Sequence, residues 1–321
     1  MIHTTRAPLL VAAITHPGMA GRQNEDRFAV SSYRVSEKDS TWSIFAIVSD
    51  GIGGHRAGEV AAEMAVETIS HMVAQSDARQ PLETLDHAIQ VTSDAIAAKA
   101  TDNAQRLGMG TTCACAWVIG NRLFTASVGD SRIYLLRNAD LTQLTVDHTW
   151  VQEAMEKGIL EPQDARNHPN VHVIRRYLGS SKTPRADVRM RLATDESDTQ
   201  SRSNQGLRLL PGDLLLLCTD GLTDVVEDAE IEPEVRGLEL WSAAQALVDL
   251  ACARDGKDNI TVVMMLVPWG KAQPKKKAIN FWLWALWGLV GLFLLALVIA
   301  GLTWVIFQFV LPPGSIPAPI P

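Results

Sequence analysis

The chain has 321 residues, 29 lysines and arginines against 36 aspartates and glutamates, and a net charge of −7. Four lysines and no acid follow Gly270, which leaves 25 basic and 36 acidic residues, net −11, in the part before it. An acidic body argues against a nucleic-acid partner, because neutralising phosphates takes clustered cations. The four cysteines show neither CxxC spacing nor a nearby histidine pair, which excludes a zinc site and a disulfide framework and fits a reducing compartment.

In chain order, the N-terminal APLLVAAI is too short and too weakly flanked for a signal peptide and reads as a strand. GRQNEDRF (residues 21–28) places Asp26 just before a further strand. Residues 42–49 form an apolar strand that Asp50 closes, ahead of a glycine-rich turn. Residues 58–75 repeat apolar positions at helical spacing (Val60, Met64, Ala65, Ile69, Met72, Val73). Residues 82–104 do the same with Leu85, Ile89, Thr92 and Ile96.

Strands follow over 111–119, 122–128 and 132–137, with Gly120-Asn121 as a hairpin turn and Asp130 after the second. Cys113 and Cys115, two apart, face the same way. Residues 148–177 are mixed and charged, in the manner of a mobile lid or a subdomain, and residues 193–206 read as an exposed loop. Asp220 closes a strand over 213–219, a third helix runs over 240–254, and Asp258 directly precedes a strand over 260–267. There is no internal repeat. Clustered strands with helical hairpins predict an α+β fold, an antiparallel sheet covered by helices, and exclude the strand–helix alternation of a doubly wound parallel sheet.

Residues 279–311 carry no charge and are long enough to span hydrocarbon once, with Trp282, Trp284, Trp287 and Trp304 near the two ends. The basic linker (residues 269–278) precedes this run and an uncharged, proline-rich tail (residues 312–321) follows it. The positive side stays in the cytoplasm, so the expected protein is a cytoplasmic domain (residues 1–268) on one C-terminal transmembrane helix.

Five aspartates, Asp26, Asp50, Asp130, Asp220 and Asp258, thus lie at strand ends, where loops gather at one edge of a sheet. Singly, each reads as a turn residue. Converging as a set they would repel unless cations sat among them, and all-oxygen ligands favour Mg²⁺ or Mn²⁺. Two such ions sharing a carboxylate would lower the pKa of a bridging water and make it a nucleophile.

NEDRF, DGIGGHRAGEVA, MGTT, GDSRIYLLR, LTVDHTWVQE, HPNVHVIRRYLG, GDLLLLCTDGLTD and GKDNITVV occur in this order between about residues 15 and 267. On these motifs the chain resembles the bacterial metal-dependent, type 2C serine/threonine protein phosphatases. The resemblance implies an αββα four-layer sandwich of two antiparallel sheets and two to three Mn²⁺ or Mg²⁺ ions at one end. By carry-over Asp50 would bridge two ions, the Gly51 carbonyl would ligate one, and Asp220 and Asp258 the other. Asp26 would hold a metal-bound water, and Asp130 a third metal. Residues 148–177 would be the flap that shapes substrate access.

The implied reaction is direct attack of the bridging water on phosphoserine or phosphothreonine. His55 either protonates the leaving alkoxide or hydrogen-bonds locally at the helix start; His148 caps or orients the next helix. The family's phosphate-binding arginine stands five positions before the NED aspartate. Here that position is Gly21, and Arg22 is one residue later, where a strand would turn its side chain to the other face unless a bulge restored it. Expected partners are phosphorylated proteins, among them a membrane-associated kinase or its targets, and the lipid bilayer. The alternatives are a pseudophosphatase that binds phosphoproteins as a scaffold, and a nuclease, which the acidic body disfavours.

Overall fold

The computed structural model describes residues 1–5, 8–21, 23–53, 57–102, 106–268 and 299–304. The chain divides into two compact units, Met1–Trp269 and Gly270–Pro321.

The first unit holds two antiparallel sheets, with strands and helices numbered in chain order. One sheet runs in the order β1 (Ile2–His3), β3 (Arg27–Arg34), β4 (Trp42–Ser49), β7 (Cys113–Ile119), β8 (Arg122–Val128) and β11 (Leu207–Arg208). The other runs β10 (Asp140–Gln143), β9 (Arg132–Arg137), β12 (Leu214–Cys218), β13 (Ile260–Leu266) and β2 (Leu10–His16). A two-stranded ribbon joins β5 (Gly51–Ile52) to β6 (Gly110–Thr111). The long helices are α1 (Ala57–Gln75), α2 (Pro81–Thr101) and α8 (Leu240–Ala253). Shorter ones are α3 (Trp150–Glu156), α4 (Pro162–Ala165), α5 (Asp198–Ser203), α6 (Asp220–Thr223) and α7 (Asp228–Val235).

The layers follow from side-chain alternation. On β4 and β7, Phe45, Ile47, Cys113, Cys115 and Trp117 point to a core shared with α1 and α2. Ile44, Ala46, Val48, Ala114, Ala116 and Val118 point into a second core between the sheets. On β12 and β13, Leu215, Leu217, Val263 and Met265 enter that same middle core. Leu216, Cys218, Val262 and Met264 pack outward with α7 and α8. Strands buried on both faces read as unbroken apolar runs, which is why their sequences do not alternate. Helices, sheet, sheet and helices are the four expected layers.

Register brings the aspartates to one edge. Arg27 pairs with Ser49 at the β3–β4 end, so Asp26 and Asp50 flank that end from opposite chain directions. Cys218 pairs with Val262 and with Arg132, which sets Asp220, Asp258 and Asp130 around the corresponding end of the second sheet.

Several local expectations are corrected. The strand over 111–119 breaks at Thr112, because that hydroxyl accepts the Asp50 N–H at 3.0 Å. The exposed loop over 193–206 contains α5, started by a capping box in which Ser197 and Gln200 bond each other's backbone N–H groups. α2 ends at Thr101, short of residue 104. Residues 23–26 are irregular and β3 begins only at Arg27, so the strand-face argument for Arg22 does not apply to its surroundings.

Of the second unit, residues 299–304 are described, a helical segment with Ile299, Leu302 and Trp304 exposed. Among the described residues no helix is long and apolar enough to cross a membrane. The rest of the expected span over 279–311 lies outside them.

Trp117 is wholly buried, meets Phe45 edge-on at 6.4 Å, and donates its indole N–H to Ser43 Oγ at 2.7 Å. Trp117→Ala is expected to lower the unfolding free energy in urea by about 3–5 kcal/mol. Ser43→Ala, which strands the indole donor, should cost about 1–3 kcal/mol.

Candidate metal centre

A cavity of about 590 Å³ opens at this edge, lined by Asp50, Gly51, Asp220, Asp224, Asp258 and His172 among others. Asp26 and Asp50 are held from behind by neutral hydrogen-bonding groups. Asp26 is buried and its Oδ2 accepts from the hydroxyls of Thr219 at 2.8 Å and Thr261 at 2.7 Å. Those hydroxyls are themselves fixed. Thr261 N–H donates to Thr219 Oγ1 at 3.0 Å, and Thr15 Oγ1 lies 2.9 Å from Thr261 Oγ1. Thr219 occupies the N-cap position of α6 yet makes no side-chain cap, since its hydroxyl is turned to Asp26.

Asp50 is fixed through its backbone. Its N–H donates to Thr112 Oγ1, and its carbonyl accepts from Thr112 N–H at 2.9 Å and Thr111 Oγ1 at 2.6 Å. Thr112 Oγ1 also lies 2.6 Å from Ser131 Oγ, which ties the Asp50 loop to the Asp130 loop. The loop after Asp50 passes so close to α1 that a Cβ on Gly51 would come within 2.4 Å of Gly58 carbonyl atoms, so only glycine fits. Gly221 is under the same constraint, with the Asn259 carbonyl 2.0 Å from where its Cβ would be. Asn259 Oδ1 accepts the Glu25 N–H at 2.7 Å, locking the loop before β13 to the loop before β3.

His148 does not cap the following helix; Thr149 does, accepting from Gln152 N–H. His148 Nδ1 accepts the Gly129 N–H at 3.0 Å, so the ring proton sits on Nε2, which donates to Asp187 at 3.0 Å. Burial pushes the Asp187 carboxyl up, but bonds from His148 and Arg189 outweigh it and hold the group below the usual carboxylate range. The histidine thus braces the turn that presents Asp130. Arg132, in the same motif, is engaged by Asp147 at 2.7 Å and Asp228 at 3.4 Å.

In the metal-free protein the acids resist ionisation. Burial, then Asp220, Asp26 and Asp130, raises the Asp50 carboxyl well above its ordinary range. Burial chiefly pushes Asp26 up to about 8, and burial with Asp224 and Asp258 pushes Asp220 up to about 7. Asp130 is raised by burial and by Asp220 and Asp147. Unit like charges 4 Å apart repel by about 4 kcal/mol at a protein-like dielectric, so a full set of carboxylates needs compensating cations.

The donor set fits such ions. Among the described residues, Asp26 Oδ1, Asp130 Oδ1 and Asp220 Oδ1 are buried with no hydrogen-bond partner, a costly condition that a hard cation or its water would relieve. All five predicted aspartates border this edge, and Asp258 alone of them is exposed. Arg22 and His55 lie outside the described residues. Sequence reading missed Thr219 and Thr261, which adjoin Asp220 and Asn259 in the motifs, as well as Asp224 and the flap residue His172, whose ring nitrogen lies 3.2 Å from Asp224.

Unfolded aspartates ionise near 3.8, whereas the folded metal-free site holds protons up to about 7–8. That stability is complete at acid pH and is lost as pH rises through neutrality. The melting temperature of chelator-treated protein is therefore expected to fall between about pH 5 and 8. Mn²⁺ should raise it most at the alkaline end, and calorimetry in two buffers should show proton release on binding.

The family model described as protein phosphatase 2C matches residues 19–252. The serine/threonine protein phosphatase PstP of Mycobacterium tuberculosis is 35% identical over 247 residues, 75% of this chain and 45% of that protein, so the chain spans under half of its length. The serine/threonine phosphatase stp of Listeria innocua is 34% identical over 256 residues, 78% of this chain and 93% of the relative. A solved catalytic domain of PstP in complex with 2 manganese ions superposes with a TM-score of 0.66 at 32% identity, covering 81% of this chain and 99% of that one. The carboxylate edge, the four layers and these matches together place the chain in the protein phosphatase 2C family.

Proposed function

We propose that this chain hydrolyses phosphoserine and phosphothreonine in proteins with the help of two divalent cations, Mn²⁺ or Mg²⁺, at the carboxylate edge. The observation that carries the reading is the trio of buried carboxylate oxygens without partners at Asp26, Asp130 and Asp220. Asp50 and the Gly51 carbonyl would hold one ion, Asp50, Asp220 and Asp258 the other, and Asp130 a third. When bound, the cations supply a water of lowered pKa and offset the charge that develops on the phosphoryl oxygens.

The chain's own residues do the rest. Asp26, aligned by Thr219 and Thr261, offers its free Oδ1 to hold and orient a water. Asp50, fixed through Thr111 and Thr112, is held still against repulsion from its neighbours. His172 and Ile174, from the flap, form one wall of the cavity and limit how a phosphorylated segment enters. Arg22 is proposed to bind the substrate phosphate and His55 to protonate the leaving oxygen.

We also propose that residues 279–311 anchor the domain in a membrane, with the catalytic edge on the cytoplasmic side and substrates close to the bilayer. The uncharged run and the lysines before it support this.

The test is phosphate release from a phosphothreonine peptide by the full chain in detergent, with Mn²⁺ and with EDTA. Turnover is expected with Mn²⁺ alone and should vanish in Asp50→Asn. Folded protein that binds Mn²⁺ but turns over no phosphopeptide would establish the scaffold reading instead. Thr261→Val is expected to lower turnover more than Mn²⁺ affinity, because the hydroxyl it removes aligns Asp26, which holds a water rather than an ion. For the anchor, the full chain should remain with membranes through carbonate extraction; release into the supernatant would refute it.

A further inference from the structure

We propose that His172 is itself a metal ligand, its ring nitrogen joining the carboxylates of Asp224 and Asp220 in a divalent-cation site that clamps the flap onto the catalytic edge. The inference rests on the assignment of Asp220 as a catalytic-metal ligand and adds a nitrogen donor from a different part of the chain.

His172 Nδ1 lies 3.2 Å from Asp224 Oδ2, and one ligand atom from each of His172, Asp220 and Asp224 falls within 4.8 Å of the other two. Donors bonded at about 2.1 Å in octahedral geometry stand roughly 3 Å apart when adjacent and about 4.2 Å when opposite, so the three can share one ion after an inward shift of a few tenths of an ångström. Asp220 and Asp224 are one helical turn apart, with Asp224 N–H donating to the Asp220 carbonyl at 2.8 Å, and both carboxylates therefore lie on one side of α6. A simple His172–Asp224 ion pair accounts for only two of the three. One Asp220 carboxylate oxygen also lies within reach of both, and a carboxylate has a second oxygen left for the catalytic ion.

The flap is built to deliver this histidine. At its base Thr149 bridges Ile174, Trp150 N–H donates to Val173 O at 2.8 Å and Arg175 N–H to His148 O at 2.7 Å. Trp150 stacks on His168 at 4.6 Å, and Arg166 donates to the Asp224 carbonyl at 3.2 Å. The segment on either side of His172 is thus pinned, and the ring projects to the same helical turn that Arg166 grips. Affinity for a mixed nitrogen–oxygen site rises along the first-row transition ions from Mn²⁺ upward, whereas Mg²⁺ keeps oxygen donors and its own waters and gains least from a nitrogen ligand. The site is therefore selective for Mn²⁺ over Mg²⁺, and its occupancy closes the flap.

The test is pulsed EPR on full-length protein loaded with Mn²⁺, with His172→Gln alongside. Imidazole ¹⁴N coupling to Mn²⁺ is expected in the parent and should disappear in the variant. Titration should show the weakest Mn²⁺ site loosened more than tenfold, with Mg²⁺ binding unchanged. Protease digestion gives a second reading: Mn²⁺, unlike Mg²⁺, should protect the flap in the parent and fail to do so in the variant. Retention of the tighter Mn²⁺ sites in the variant serves as its folding control. Absence of ¹⁴N coupling from the parent, or its persistence in the variant, overturns the proposal. If the parent binds no Mn²⁺ at all, the proposed function falls with it.

Discussion

Carboxylates that meet in one cavity push the loops beneath them apart, and every part of this domain bears on how that repulsion is contained. The containment is by neutral groups. Thr219 and Thr261 hold Asp26, Thr111 and Thr112 hold Asp50 by its backbone, and His148 holds the turn before Asp130. A lysine or arginine in those places would cancel the charge and remove the reason for a cation to bind. Arg132 stands two residues from Asp130, but Asp147 and Asp228 engage it. The polar scaffold therefore fixes position while leaving the field negative.

The sandwich makes that arrangement possible because it delivers strand ends from two sheets to one edge. Arg27 opposite Ser49 in one sheet and Cys218 opposite Val262 in the other set the carboxylates in register within each sheet. The Thr112–Ser131 contact then couples the Asp50 loop of one sheet to the Asp130 loop that leads into the other. A rigid middle core under these ends, with Val48, Ala114, Leu217 and Val263 buried, keeps the two edges from sliding.

Much of this was legible in the sequence, and for identifiable reasons. Aspartates closing apolar runs at Asp50 and Asp220 are visible because strands end abruptly at charge, and the motif order added the family. Helical and strand periods separated an antiparallel sheet from the helices that cover it, while the second sheet and the four layers came only with the family resemblance. The supporting hydroxyls were not legible in the same way. Threonine in a strand is ordinary, and only the three-dimensional meeting of Thr219 with Asp26, 193 positions apart, shows what it does. The helix α5 was legible and overlooked, since Ser197 and Gln200 are a capping box written in the sequence. His172 carried no local signal, because its partner Asp224 comes from a distant segment.

β13 begins beside the carboxylate edge at Ile260 and ends at Leu266. β2 pairs with it along all of its length, and β12 pairs with Leu266 through Val262 on the other side. A pull on Val267 along the β13 axis would load a strand whose hydrogen bonds lie across the line of force. Such bonds fail together rather than one after another, so the strand behaves as a riveted joint rather than a zip. Loaded along that axis, the domain would keep its carboxylate edge in shape up to the force at which both ladders shear.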